Sequence, residues 1–160
     1  MADLCAVLEG MGYEDVRSLL QSGNVVFRCT SKSTADLERK LEQAIETELG
    51  LKTDVHVRTA TEWESVVAHN PFVAEARSDP SHLLVLFMKD APAARAVAVL
   101  EGAIVGRERV GVGGRQAYLV YPDGVGRSKL TTALLDKHLG GRGTARNWNT
   151  VVKMATLTSA

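Results

Sequence analysis

Apolar positions recur in two rhythms along this chain, one of three to four residues and one of two. Leu4, Val7, Leu8 and Met11 share a face of a predicted helix over residues 2–12, which Gly12 ends. Two apolar-rich runs between Val16 and Cys29 flank Gly23-Asn24 and predict a hairpin, because its tight turn needs the positive φ that Gly and Asn tolerate. Ser33 is placed to cap a helix striped by Leu37, Leu41, Ile45 and Leu49 and closed by Gly50. Residues 53–58 alternate like a strand. Thr61 and Glu64 fit a capping box for a helix to about His69, and Asn70-Pro71-Phe72 stops that helix with an anchoring aromatic. Residues 73–81 read as a connector and 82–88 as a buried strand. Asp90 is the expected cap of a helix ending at Gly102. Residues 104–110 and 116–121 predict a second hairpin around Gly111, Gly113 and Gly114. Ser128 is the expected cap of a helix over 129–139, closed by Gly140-Gly141, and the last helix runs from about Asn147 to Leu157.

The order of elements predicts an α+β fold of two small halves related to the ferredoxin-like β-α-β-β-α-β unit, with mostly antiparallel sheets. The expected parts are an α-β-β-α-β half over 1–60, a helix and connector over 61–81, and a β-α-β-β-α-α half over 82–160. The first half lacks its opening strand, which in such a sheet lies in the middle. Strand 53–58 would then expose unpaired N–H and C=O groups. Another chain or segment fills that gap, making an oligomer through the unpaired strand an expected partner mode, or the sequence starts late, at an internal methionine.

Composition narrows the class. The 160 residues are 45% hydrophobic and 24% charged, which is globular rather than disordered. No apolar run approaches the roughly 18–20 residues of a membrane span, so no membrane partner is expected. The start of the chain lacks the basic region of a signal peptide, and Cys5 and Cys29 show no disulfide or metal spacing. Reduced thiols and a cytoplasmic location follow. Net charge is zero but uneven: residues 101–160 carry nine Lys/Arg against four Asp/Glu, residues 1–100 ten against fifteen. A basic C-terminal part suits an anionic partner, and equally a dipolar protein that binds none.

Candidate chemistry concentrates where that charge lies. In the stretch YPDGVGRSKLT (121–131), Gly124, Gly126 and Ser128 could shape a backbone cradle for phosphate, with Arg127 and Lys129 as its charge. It is not a Walker A loop: Ser128 stands where the second Gly belongs and Leu130 where Ser or Thr belongs. The plain alternative is a capped strand-to-helix loop with solvated cations. Arg146, Asn147, Trp148 and Asn149 form the second candidate. Asn147 or Thr144 caps a helix and Trp148 packs inward, or Arg146 and Asn149 face the same cleft as Arg127 and Lys129, with Trp148 stacking on a base or sugar. Gln21, Ser22 and Asn24 are a turn first and a secondary ligand loop second. His56, His69, His82 and His138 lack metal-ligand spacing and read as surface or satisfied histidines, and no nucleophile signature is present, so no metal, cofactor or catalytic residue is assigned. Sparse aromatics argue against a sheet-face RNA platform.

At LLQSGNVVF (19–27), NPF (70–72), YPDGVGRSKLT (121–131) and GTARNWNTVVKM (143–154) the chain resembles the bacterial domain of unknown function numbered 1697. The resemblance spans Met1 to about Leu157 and implies two small α+β halves, in line with the element count. Members typically begin with an additional strand and a Gly-rich loop, neither of which this sequence has. The resemblance brings no established activity. The leading expectation is a module binding an anionic, phosphate-bearing ligand, either a nucleotide or nucleic acid. The alternatives are an enzyme acting on a phosphorylated substrate and a protein-interaction module.

Overall fold

Helices form where the apolar stripes lie. The computed structural model describes residues 1–19, 23–31 and 33–159, so Gln21 and Ser22 of the candidate loop fall outside the described residues. α1 (Ala2–Gly10) buries Val7 and Leu8. α2 (Thr34–Leu49) starts at Ser33, whose hydroxyl accepts the Asp36 amide at 3.2 Å. It buries Leu37, Leu41 and Ile45, while Leu49 remains exposed. Gly50 ends the helix at φ 65, a conformation that only glycine adopts without strain from a Cβ. Between the helices, β1 (Glu14–Leu19) and β2 (Asn24–Arg28) pair antiparallel as a two-stranded sheet, and Tyr13 stacks on Phe27. Asn24 is buried in β2 and donates from Nδ2 to the Leu19 carbonyl at 3.2 Å. It thereby closes the hairpin by a side-chain bond.

The sequence predicts a strand over 53–58; the structure has none there. The Val55 N–H donates to the Glu42 carboxylate and the Val57 N–H to the Glu38 carboxylate, each at 2.9 Å. The expected free row of donors is therefore not free at these two positions, because α2 supplies the acceptors. Glu38 also lies 3.8 Å from the Arg58 guanidinium, and the two side chains are only 6% and 3% exposed.

α3 (Ala60–Ala68) is capped two residues earlier than expected. Thr59 and Glu62 exchange the reciprocal bonds of the capping box: the Glu62 N–H donates to the Thr59 hydroxyl at 3.1 Å and the Thr59 N–H to the Glu62 carboxylate at 2.8 Å. Thr59 and Thr61 both precede an acid by three residues, and the earlier pair wins. Asn70 then accepts the Phe72 N–H at 2.9 Å, and Phe72 is buried.

The chain divides into two units, Met1–Trp63 with Met154–Ala160, and Glu64–Lys153. The helix and connector over 61–81 thus fall largely with the second unit, and the end of the last helix with the first. The connector itself carries α4 (Val73–Ser78) and a 3-10 turn, Pro80–His82.

The second unit is built on β3 (Leu83–Phe87), α5 (Ala94–Ala103), β4 (Arg109–Gly113), β5 (Gln116–Val120), α6 (Thr132–Leu139) and β6 (Thr144–Asn147). The sheet order is β4-β5-β3-β6, antiparallel throughout. β6 corrects the sequence reading, which ended this half in helix where a last strand would lie. Two more corrections concern helix starts. α5 begins after Ala93, not at Asp90, because Pro92 disfavours helix in the residue before it. α6 begins after Thr131, whose hydroxyl accepts the Leu134 amide at 3.3 Å, not after Ser128.

The sheet carries side chains on two faces. Leu86, Ala117, Leu119 and Tyr121 pack with Leu100 of α5 and Leu130, Leu135 and Leu139 at α6. On the other face the Tyr118 hydroxyl donates to the Val66 carbonyl of α3 at 2.6 Å. There a Cβ on Gly111 would come within 2.8 Å of Pro71 and 3.6 Å of Phe72, so the missing side chain is what lets that segment close on the strand. α7 (Trp148–Thr158) follows β6 directly. The chain is α+β with open antiparallel sheets, and no helix among the described residues is long and apolar enough to cross a membrane.

Candidate functional site

Strand register defines one end of the second unit's sheet. Leu83 of β3 pairs with Val120 of β5, Leu84 with Asn147 of β6, and Arg109 of β4 with Val120. The 3-10 turn therefore enters, the 121–131 loop leaves, and α7 starts at the same end. α6 returns the chain to Thr144, which pairs with Phe87 at the other end. The two Gly/Ser/Asn-rich stretches singled out in the sequence meet the same end of one sheet.

The 121–131 loop is wound by two successive turns, the Gly124 N–H donating to the Tyr121 carbonyl at 3.0 Å and the Ser128 N–H to the Val125 carbonyl at 3.2 Å. Gly124 sits at φ 85, a conformation that glycine adopts without strain from a Cβ. Ser128 is fully engaged: its hydroxyl donates to Glu108 at 2.6 Å and accepts the Leu130 N–H at 3.0 Å. A carboxylate of the protein thus occupies the hydroxyl expected to serve a ligand. Gly126, Arg127 and Lys129 are exposed. Among the described residues neither the Arg127 nor the Lys129 side chain forms a hydrogen bond or ion pair, whereas Arg107 is paired with Asp123 and Arg109 with Glu75. The hydrogen bond from Arg107 holds the Asp123 carboxyl below the usual carboxylate range.

The second stretch divides. The Asn147 side-chain oxygen Oδ1 caps α7 by accepting the Thr150 N–H at 3.0 Å, and Asn149 is exposed. Trp148 is 7% exposed and belongs to the core, so it presents no face for stacking. Arg146 pairs across the ladder with Val85, and Val85 with Tyr118, which places its side chain on the α3 face, opposite α6. Its guanidinium folds back to the Thr144 hydroxyl and the Ala145 carbonyl, both at 2.8 Å, and burial pulls its pKa below the usual arginine value. The expected clamp of Arg127, Lys129 and Arg146 is thus two cations on one loop and a third turned away from α6.

Sequence reasoning took His82 for a surface or satisfied histidine and did not place it beside the loop. Its Nδ1 lies 2.7 Å from the Asp79 carboxylate, and its backbone carbonyl accepts the Tyr121 N–H at 2.9 Å. The signal was present in Asp79-Pro-Ser-His82: on a 3-10 turn, residues three apart eclipse one another. Tyr121 anchors the loop from beneath. Its hydroxyl donates to the Leu130 carbonyl at 3.1 Å, and burial, aided by the Glu108 charge, pushes its pKa up to about 12. No group of three or more His, Cys, Asp or Glu among the described residues is arranged to hold a metal ion.

Two small units with open antiparallel sheets define the fold class as α+β. Within it, the family described as a protein of unknown function, DUF1697, matches residues 1–118, and the chain belongs to that family. The 121–131 loop and β6 lie beyond the matched residues. The conserved bacterial protein SP0830 from Streptococcus pneumoniae is similar in fold, with a TM-score of 0.79 at 21% identity over 100% of this chain and 89% of that one. No curated protein matches the chain.

Proposed function

We propose that this is a cytoplasmic bacterial protein that binds an anionic, phosphate-bearing ligand, a nucleotide or nucleic acid, at the loop opening α6. The observation that carries the reading is selective pairing. Of the cations at this end of the sheet, Arg107 and Arg109 are matched by carboxylates and Arg146 by its own strand, while Arg127 and Lys129 are exposed, two positions apart, on a glycine-turned loop. A guanidinium offers two parallel donors to a phosphoryl group and the ammonium adds a point charge. The element order β-α-β-β-α-β supports a ferredoxin-like reading of this unit.

A ligand that binds only the folded state raises the melting temperature by mass action. Millimolar phosphate, sulfate or nucleotide is expected to raise it for the wild type and to leave the Arg127→Ala, Lys129→Ala double variant unmoved. If none of these anions shifts the wild type, the reading is lost.

A further inference from the structure

We infer that His82 is a ligand-contacting member of this anion site and makes its affinity depend on pH; the inference rests on the reading of the 121–131 loop given above. The Asp79 carboxylate, 2.7 Å from Nδ1, fixes that nitrogen as the one carrying hydrogen. Nε2 is left over. Among the described residues it has no hydrogen-bond partner, and it lies 3.9 Å from where a Cβ on Gly124 would stand. Because position 124 has no side chain, nothing of that residue comes between the imidazole edge and the loop that carries Arg127 and Lys129. The His82 side chain is 41% exposed, open to a ligand resting on the loop.

The charged groups facing the ring are Asp79 on its own turn and Asp123 on the loop, the latter matched by Arg107. With a neutral imidazole, Asp79 remains an unmatched negative charge beside the site and opposes an anion. With an imidazolium, Asp79 is matched and Nε2–H becomes a charge-assisted donor to a phosphoryl or sulfate oxygen. Only a proton is taken up, and no bond of the ligand changes. Affinity is therefore highest where the ring carries its second proton and falls as rising pH removes it.

Sulfate tests this cleanly, because it stays a dianion as the ring titrates. Its affinity is measured by calorimetry at pH 5.5 and 8.5 for the wild type, His82→Gln, Asp79→Asn and the Arg127→Ala, Lys129→Ala double variant. The wild type is expected to bind roughly tenfold more weakly at the higher pH, the equivalent of one modest charge-assisted hydrogen bond. His82→Gln should bind equally and weakly at both, and Asp79→Asn should show an altered pH ratio. In the wild type, sulfate should also raise the midpoint at which the His82 ring proton titrates by NMR, a reading that needs no variant to fold. Sulfate binding that requires Arg127 and Lys129 but keeps the same pH ratio in His82→Gln, or leaves the ring titration unmoved, overturns the role of His82 alone. No sulfate binding at either pH overturns this inference together with the reading of the loop.

Discussion

Tyr121 joins the core to the candidate loop, and its ionisation gives a test at the level of one residue. The folded state favours the neutral phenol, so the group binds its proton more tightly folded than unfolded. The resulting stability is fully present below about pH 10 and is lost as pH rises from about 10 to about 12, amounting to ~3 kcal/mol. Burial raises Tyr118 as well, so the alkaline fall is shared. Tyr121→Phe should flatten part of that fall in urea-unfolding curves taken at pH 9, 10 and 11. At pH 7 it should cost about 1 kcal/mol for the hydrogen bond to Leu130. An unchanged slope would mean that Tyr118 carries the whole effect. At this scale the sequence was an uneven guide. Ser33 and Gly50 were legible because their work is local, one side-chain acceptor and one positive φ. Ser128 misled because its partner Glu108 stands just before β4, twenty residues away in the chain. The role of Trp148 depended on which way its side chain points, and no spacing in the sequence states that.

Among elements, α3 offers a comparison within one stretch of sequence. Thr59 and Thr61 are both threonines three residues ahead of a glutamate, yet only Thr59 makes the reciprocal bonds. Thr59→Ala is therefore expected to destabilise by about 1 kcal/mol, and Thr61→Ala by a few tenths at most, measured by chemical denaturation. Equal losses would show that the helix start shifts between the two caps. The same stretch shows what governs legibility. α2 was readable end to end because sixteen residues repeat one stripe between two strong caps. β6 was not, because four residues of alternating exposure at a sheet edge carry almost no periodic signal, and its pairing with β3 is set sixty residues earlier in the chain. The strand expected at 53–58 failed for a different reason. Its alternation was real, but side-chain carboxylates had taken donors that a neighbouring strand would have used.

Over the whole molecule, charge follows the structural division. The unit Glu64–Lys153 holds twelve Lys/Arg against eight Asp/Glu, and the remainder seven against eleven. That asymmetry was legible in the sequence, though the boundary that sharpens it was not, since the last residues of α7 group with the first unit. It suits an anionic ligand and equally a dipolar protein that binds none, and salt tests the nucleic-acid form. With two unpaired cations, binding of a labelled single strand followed by fluorescence anisotropy should weaken with a log–log slope of about −1.4, and a flat response excludes the nucleic-acid form. One further consequence follows from the two carboxylates of α2. Side chains four apart on a helix recur about every 6 Å, while alternate N–H groups of an extended chain recur about every 6.6 Å. The two rulers agree for a single interval and drift apart with each further one. Glu38 and Glu42 therefore act as a vernier: they hold Val57 and Val55 in one alignment, and sliding the segment by one residue would turn both N–H groups to the opposite side.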